Sequence, residues 1–94
     1  MDWVPDLRQL RAFVAVAEEG SFTLAARRIF VTQSAVSHSL RTLEDQLSCR
    51  LLDRSGKRVV VTPEGELVLK RCRRAIFETE QAGCHVDSLR RWGQ

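Results

Sequence analysis

Apolar residues in the first half of the chain recur at three- and four-residue intervals, which is the spacing of amphipathic helices. We predict a first helix between Asp6 and Gly20, and a short second helix that Ser21 caps and that runs to Ile29. Thr32 can cap a third helix. Its apolar residues lie four, three and four positions apart: Val36, Leu40, Leu43 and Leu47. The connection of about three residues between the second and third helices is typical of a helix-turn-helix unit.

Two short runs beyond Cys49, LLDR and KRVVV, lie on either side of Ser55-Gly56. Apolar and β-branched runs around a glycine-containing turn are typical of a β-hairpin. We therefore predict a hairpin with a basic tip over residues 52–61, which is called the wing below.

The last third of the chain predicts one long helix. Thr62 provides a capping hydroxyl, Pro63 suits the first helical position, and no further proline follows up to about Trp92. Such a helix is roughly 40 Å long. Its heptad stripe, which we expect to contact a partner helix, consists of Val68, Cys72, Ala75, Thr79, Ala82, Val86 and Leu89. We accordingly expect a folded domain over residues 1–62 and a helix for dimerisation over residues 63–94.

The length of the chain suits one folded domain, and the distribution of its charge suits a polyanionic partner. A chain of 94 residues with 44% hydrophobic content suits one small folded domain and argues against disorder. The formal net charge is only +3, but residues 50–74 carry eight basic against three acidic side chains, a local surplus of +5. A surplus of this kind permits a polyanionic partner without requiring one.

Several functional classes find no support in the sequence. No apolar run is long enough to span a bilayer and no signal-peptide pattern opens the chain, so we expect a cytoplasmic protein without a membrane partner. Three cysteines without a close pair predict neither a disulfide framework nor a zinc site. Cys84 and His85 point about 100° apart on a helix, so they do not form a nucleophile–base pair. We expect no enzyme activity, no metal and no cofactor.

The polar side of the third helix carries side chains that suit base recognition. An α-helix fits the major groove of B-DNA, and a first turn rich in Gln, Ser and His places donors and acceptors against base edges. Gln33 is the predicted base contact because its amide can pair bidentately with adenine. The other candidates in and before this helix are Thr32, Ser34, Ser37, His38 and Arg41. The alternative is that these polar side chains simply face solvent.

The wing and the start of the second helix carry further candidates for DNA contact. Arg54, Lys57 and Arg58 can lie along the phosphate backbone or in an adjoining minor groove. Lys57 and Arg58 can instead serve only to keep an exposed strand edge soluble. Ser21 and Thr23 are candidate phosphate donors, although capping alone would explain Ser21.

Five spaced motifs run through the chain: SFT followed by paired alanines, TQSAVS at the head of the third helix, LxxLE within it, DRS in the wing, and TPEG at the start of the long helix. Together they resemble the N-terminal DNA-binding domain of LysR-type transcriptional regulators, from Leu7 to about Leu89. The resemblance implies a winged helix-turn-helix: a mainly α fold with a three-helix core, a short β-hairpin wing and a long C-terminal linker helix for dimerisation.

The resemblance also implies double-stranded DNA as the partner of a homodimer. Gln33, Ser34, Ser37 and His38 match the family's base- and phosphate-contacting positions, and Arg54 matches its wing arginine. His38 stands where many members carry Arg or Gln, so no base preference carries over at that position. Paired long helices, antiparallel in the family, would set two recognition helices on an interrupted inverted repeat.

Members of this family continue into a C-terminal effector-binding domain, which these 94 residues do not include, so we expect them to bind no effector. The chain is then either a truncated piece or an isolated DNA-binding module. A second hypothesis is a protein-interaction module that uses the long amphipathic helix, with the helix-turn-helix as a folded base. Cys49 and Cys72 are interpreted as small apolar packing residues, with a thiol redox switch as the alternative.

Overall fold

The computed structural model describes residues 3–4 and 6–92 of the chain. Its elements, in chain order, are α1 (Leu7–Glu19), α2 (Phe22–Arg28), α3 (Gln33–Leu47), β1 (Leu52–Asp53), β2 (Val60–Val61) and α4 (Pro63–Trp92). The two strands pair antiparallel, with Leu52 opposite Val61 and Asp53 opposite Val60. The four helices and the hairpin therefore lie where the sequence predicts them. Within the described residues, no helix combines the length and the apolar character needed to cross a membrane.

The helix ends follow from the capping side chains that the sequence carries. Asp6 and Gln9 form a capping box at the start of α1, and Gly20 ends this helix in the left-handed conformation with φ 67°. The Ser21 hydroxyl accepts a hydrogen bond from a first-turn amide of α2, and the Thr32 hydroxyl does the same for α3. Local chemistry therefore determines where the three core helices begin.

A single apolar core holds α1, α3, the wing and the first half of α4 together. The largest fully buried side chains are Phe13, Val16, Val36, Leu40, Leu43, Leu51 and Leu52. From α4 only Leu69 and Cys72 are buried in this core as side chains. The second half of α4 is solvent-exposed and extends from the domain, so the described chain reaches 55 Å along its longest axis.

The turn between α2 and α3 contains a left-handed backbone conformation that the sequence does not predict. Phe30 has φ 59°, in the left-handed region that normally favours glycine or asparagine. The amide of Val31 donates to the carbonyl of Ala26 at 3.1 Å, so the turn closes like a Schellman motif. The Phe30 side chain is 93% exposed. This turn sets the direction in which α3 leaves α2.

The wing strands are shorter than the LLDR and KRVVV runs, since each holds only two residues, and α3 binds the backbone at the start of β1. One carboxylate oxygen of Glu44 accepts hydrogen bonds from the amides of Leu51 and Leu52, at 2.7 and 3.2 Å. These donors are satisfied by the helix and not by a second strand. At the tip, the Asp53 carboxylate accepts from the amide and the hydroxyl of Ser55, and these bonds lower the pKa of Asp53.

An ion-pair cluster ties the helix-turn-helix to α4. The Glu18 carboxylate binds Arg28 at 2.7 Å and Arg73 at 3.0 Å, and Arg28 also contacts Glu19 at 3.3 Å. The hydrogen bond from Arg28 holds the pKa of Glu18 below its usual value. All four side chains are partly solvent-exposed, so each pair contributes only modestly to stability. The cluster joins α1, α2 and α4.

The glycine of the TPEG motif allows α4 to approach the wing backbone. Gly65 is buried in the first turn of α4, where its amide donates to the Thr62 hydroxyl at 3.0 Å. A Cβ at this position would overlap the carbonyl oxygen of Leu51 and lie 2.7 Å from Cγ1 of Val61. Only glycine fits this packing without a shift of the backbone.

We expect Gly65→Ala to lower the free energy of unfolding by about 1–3 kcal/mol, the usual cost of overpacking. This loss should occur even though alanine is the better helix former. Gly83→Ala is the matched control, because nothing lies within 4 Å of a Cβ at Gly83. It should raise stability by about 0.5–1 kcal/mol. Urea unfolding followed by circular dichroism measures both. Equal changes for the two variants would contradict the close packing of α4 against the wing.

Candidate nucleic-acid interface

The outer face of α3 is open to solvent, as the sequence predicts. Three side chains of α3 are buried against the domain: Val36, Leu40 and Leu43. On the other side of the helix, Gln33, Ser34, His38 and Arg41 are exposed, and Ser37 is half-buried. The first turn of a helix directs unpaired amide groups outward, and the Thr32 hydroxyl binds the Ala35 amide at 3.1 Å. The exposed polar face of α3 is thus about one helix wide, and the buried side of the same helix packs on the core.

Gln33 is held from a neighbouring helix. Its carbonyl oxygen, Oε1, accepts a hydrogen bond from the Thr23 hydroxyl at 3.2 Å. Both residues are exposed, Thr23 in the first turn of α2 and Gln33 at the first position of α3. The first turns of the two helices of the helix-turn-helix are therefore joined by one side-chain contact.

Arg54 of the wing lies over the aromatic ring of Phe22, which no sequence pattern marks as part of the interface. Its guanidinium carbon is 4.2 Å from the centre of the Phe22 ring, within the range of a cation–π contact. Phe22 is the first residue of α2 and is half-buried, whereas Arg54 is exposed. The contact keeps the Arg54 guanidinium beside the start of α2. The two residues are 32 positions apart, so no local sequence signal could have paired them.

The other two basic residues of the wing differ in their surroundings. The Arg58 guanidinium packs over Gly20 at the C-terminal end of α1, so close that a Cβ on Gly20 would lie 2.7 Å from it. The amide of the next residue, Val59, donates to the Gly20 carbonyl at 3.1 Å. Arg58 thus helps to hold the wing against α1, where a cation also suits the helix dipole. Lys57 is exposed at the tip.

The residues of the heptad stripe on α4 fall into two environments. Cys72 is buried and Val68 is half-buried against the core of this same chain. The remaining members are exposed: Ala75, Thr79, Ala82, Val86 and Leu89. Burial raises the pKa of the Cys72 thiol from 9.0 to about 11. A thiol of this kind is a poor nucleophile, which argues against a redox switch at Cys72.

A shallow apolar groove of 370 Å³ runs beside the first half of α4. Trp3 lies along one side of it, and the Trp3 indole donates to Gln46 at 3.2 Å. The other lining residues come from α1 and α4: Leu10, Leu67, Val68, Arg71, Cys72 and Ala75. The groove therefore continues the exposed stripe toward the core.

No group of three or more His, Cys, Asp or Glu side chains within residues 3–4 and 6–92 is arranged to hold a metal ion. Cys84 is exposed on the protruding part of α4, and Cys49 is half-buried after α3.

The sequence model of the family described as "Bacterial regulatory helix-turn-helix protein, lysR family" matches residues 7–66. Among curated proteins, the chain is 51% identical over 71 residues to the SDS degradation transcriptional activation protein of Pseudomonas sp., covering 76% of this chain and 23% of that one. It is 46% identical over 72 residues to the AhcY transcriptional activator HvrB of Rhodobacter capsulatus, covering 74% and 25%. The chain spans about a quarter of the length of these two relatives.

Two similar solved structures are DNA complexes. The BenM DNA-binding domain with catB site 1 DNA matches with a TM-score of 0.86 and 34% identity, over 90% of this chain and 94% of that one. The CbnR DNA-binding domain with DNA matches with a TM-score of 0.81 and 32% identity, over 89% and 97%. These similarities confirm the predicted winged helix-turn-helix with a long C-terminal helix. Since the family model covers more than half of the sequence, this chain belongs to the LysR family of bacterial regulatory helix-turn-helix proteins.

Proposed function

We propose that this chain binds double-stranded DNA sequence-specifically, as the DNA-binding part of a transcriptional regulator. In this proposal α3 enters the major groove and the wing lies on the phosphate backbone or in an adjoining minor groove. The observation that carries it is the exposed polar face of α3, which is supported by Val36, Leu40 and Leu43 and left uncovered by the rest of residues 3–4 and 6–92. The similar BenM and CbnR domains have been solved in complex with DNA, which supports DNA as the partner.

The proposed contacts divide into base reading and phosphate binding. Gln33 reads a base edge, because an amide can pair with adenine through one donor and one acceptor. Positive charge on the wing comes from Arg54, Lys57 and Arg58, of which Lys57 at the tip has the most freedom to follow a backbone. The remaining proposed contacts to bases or phosphate are Ser21, Thr23, Thr32, Ser34, Ser37, His38 and Arg41. The proposal assigns no catalytic step to any of them.

We expect Gln33→Ala and Lys57→Ala to weaken binding in different ways. Loss of the Gln33 amide should cost about 1–3 kcal/mol on a matched duplex and relax selectivity at one base position. Loss of the Lys57 ammonium should weaken binding to all duplexes alike and lower the salt dependence. Fluorescence anisotropy on a duplex selected from a random pool, and on its single-base variants, measures both. Equal losses on every duplex for both variants would refute the division between base and phosphate contacts.

The same proposal includes a homodimer formed through α4. The exposed stripe residues Ala75, Ala82, Val86 and Leu89 lie in solvent in the single chain, and Leu89 is 72% exposed. The stripe is continuous with the groove beside Trp3, so an antiparallel partner helix would find apolar surface along both halves of α4. Two recognition helices held this way would suit an interrupted inverted repeat.

A protein-interaction module is the second candidate, and the exposed stripe on α4 is the observation that favours it. In that case the stripe would bind a different protein and α3 would bind nothing. Changes at Gln33 or Ser37 would then leave all binding unaltered. Retention on DNA-coated beads that is lost with Gln33→Ala would reject this alternative.

A further inference from the structure

The contact between Thr23 and Gln33 restricts the residue proposed to read a base. Thr23 Oγ1 donates to Gln33 Oε1 at 3.2 Å, across the ten positions that separate the two helix starts. Glutamine is among the side chains with the most rotamer freedom, and its amide group can turn either end toward a ligand. A hydroxyl on the neighbouring helix removes part of this freedom before any DNA arrives.

The Thr23 hydroxyl is not needed to cap either helix. In α2 the Ser21 hydroxyl accepts from the Leu24 amide at 3.1 Å, and in α3 the Thr32 hydroxyl accepts from the Ala35 amide at 3.1 Å. Both helix starts are therefore held by other residues. The one side-chain hydrogen bond of Thr23 in the described part of the chain goes to Gln33.

The hydrogen bond leaves Gln33 able to pair with adenine. A carbonyl oxygen has two lone pairs, so Oε1 can accept from Thr23 and still accept from the adenine N6 amino group. With Oε1 held in this way, the Nε2 amino group is the end that donates to adenine N7. An amide turned the other way would place its donor against N6 and lose both bonds. The hydrogen bond thus restricts where the Gln33 side chain lies, in an arrangement that is compatible with adenine recognition.

We propose that Thr23 is a positioning residue for base reading: it acts through Gln33 and supports base selectivity, and this role replaces the direct DNA contact that the proposed function assigns to Thr23. The inference rests on the proposed DNA binding and adds to it the residue that determines how Gln33 is presented. A phosphate donor would strengthen binding to every sequence. A positioning residue changes the ratio between sequences.

The test uses Thr23→Val, which keeps the shape of the side chain without its hydroxyl, and Thr23→Ser, which keeps the hydroxyl. Dissociation constants are measured on a duplex that the unaltered chain selects from a random pool. The same measurement is made with base substitutions at the position where Gln33→Ala loses selectivity. We expect Thr23→Val to reduce selectivity there by about 3- to 10-fold, the effect of one hydrogen bond. Thr23→Ser should retain it.

The double variant Thr23→Val/Gln33→Ala separates positioning from direct contact. If Thr23 acts through Gln33, removing its hydroxyl in the Gln33→Ala background should change selectivity no further. An equal loss on all duplexes, or the same loss in both backgrounds, would overturn the inference in favour of a phosphate contact. Selectivity unchanged in Thr23→Val would overturn it while leaving the proposed function intact. If the unaltered chain enriches no duplex, the proposed function fails and this inference fails with it.

Discussion

Raising the salt concentration from about 50 to 200 mM is expected to weaken binding to a selected duplex by about 10³-fold. DNA releases condensed counterions when basic side chains neutralise its phosphates, so affinity falls steeply as salt rises. About three phosphate-binding cations per subunit, drawn from Arg41, Arg54, Lys57 and Arg58, make about six per dimer and a log–log slope of about −5. All four side chains are exposed, and Arg54 and Arg58 also contact Phe22 and Gly20 within the chain. Anisotropy titrations at five salt concentrations measure the slope.

Two variants make the salt experiment specific to the proposed interface. Lys57→Ala should make the slope shallower by about two for the dimer, one unit per lost cation. Arg91→Ala removes the same charge near the far end of α4, about 40 Å along the helix from Pro63, and should leave the slope unchanged. A slope near zero for the unaltered chain would refute phosphate binding. Equal changes for both variants would refute the placement of the interface at the wing.

Ala82→Asp is expected to reduce binding to a duplex with two half-sites by at least about 10²-fold, because it removes the gain from bivalency. Ala82 lies in the exposed heptad stripe, where a carboxylate would face the apolar surface of the partner helix. Binding to a duplex with a single half-site should change little, since α3 and the wing are untouched. Sedimentation equilibrium measures the oligomeric state, and anisotropy measures the two affinities.

Cys84→Asp is the matched control for the dimer experiment. Cys84 is exposed two positions along the same helix, so its side chain points about 200° away from that of Ala82. The new charge is the same, but the dimer and its affinity should persist. If Ala82→Asp stays dimeric, the stripe is not the dimer interface. If both variants dissociate, the effect comes from charge on α4 in general and not from the proposed face.

The element boundaries were predictable because they depend on neighbouring residues. The hydroxyls of Ser21 and Thr32 and the left-handed Gly20 act within one helical turn, so the sequence locates these ends to within a residue. The open face of α3 was predictable for a similar reason: a stripe at helical spacing identifies the buried side and thereby the exposed one. The family was recognisable because its motifs are spaced along the whole domain.

The wing was predicted less accurately, since its geometry depends on other parts of the fold. The Glu44 carboxylate binds the amides of Leu51 and Leu52 from seven and eight positions away. Phe30 adopts a left-handed conformation that no propensity of phenylalanine suggests. Cys72 fits a heptad pattern but is buried in the core of its own chain, because α4 turns one face toward α1 and a neighbouring face toward solvent.

The sequence by itself determined the helices, their caps, the polar face of α3 and the basic content of the wing, because each depends on residues within a few positions of one another. Only the tertiary structure placed Thr23 against Gln33 and Phe22 beneath Arg54. It also showed that Arg58 packs on Gly20 and that Gly65 must be small. The residues in each of these contacts belong to different parts of the fold and are 10 to 38 positions apart in the sequence. Hydrophobic periodicity predicts which side of a helix is buried, but it does not predict which exposed side chains contact each other in the folded protein.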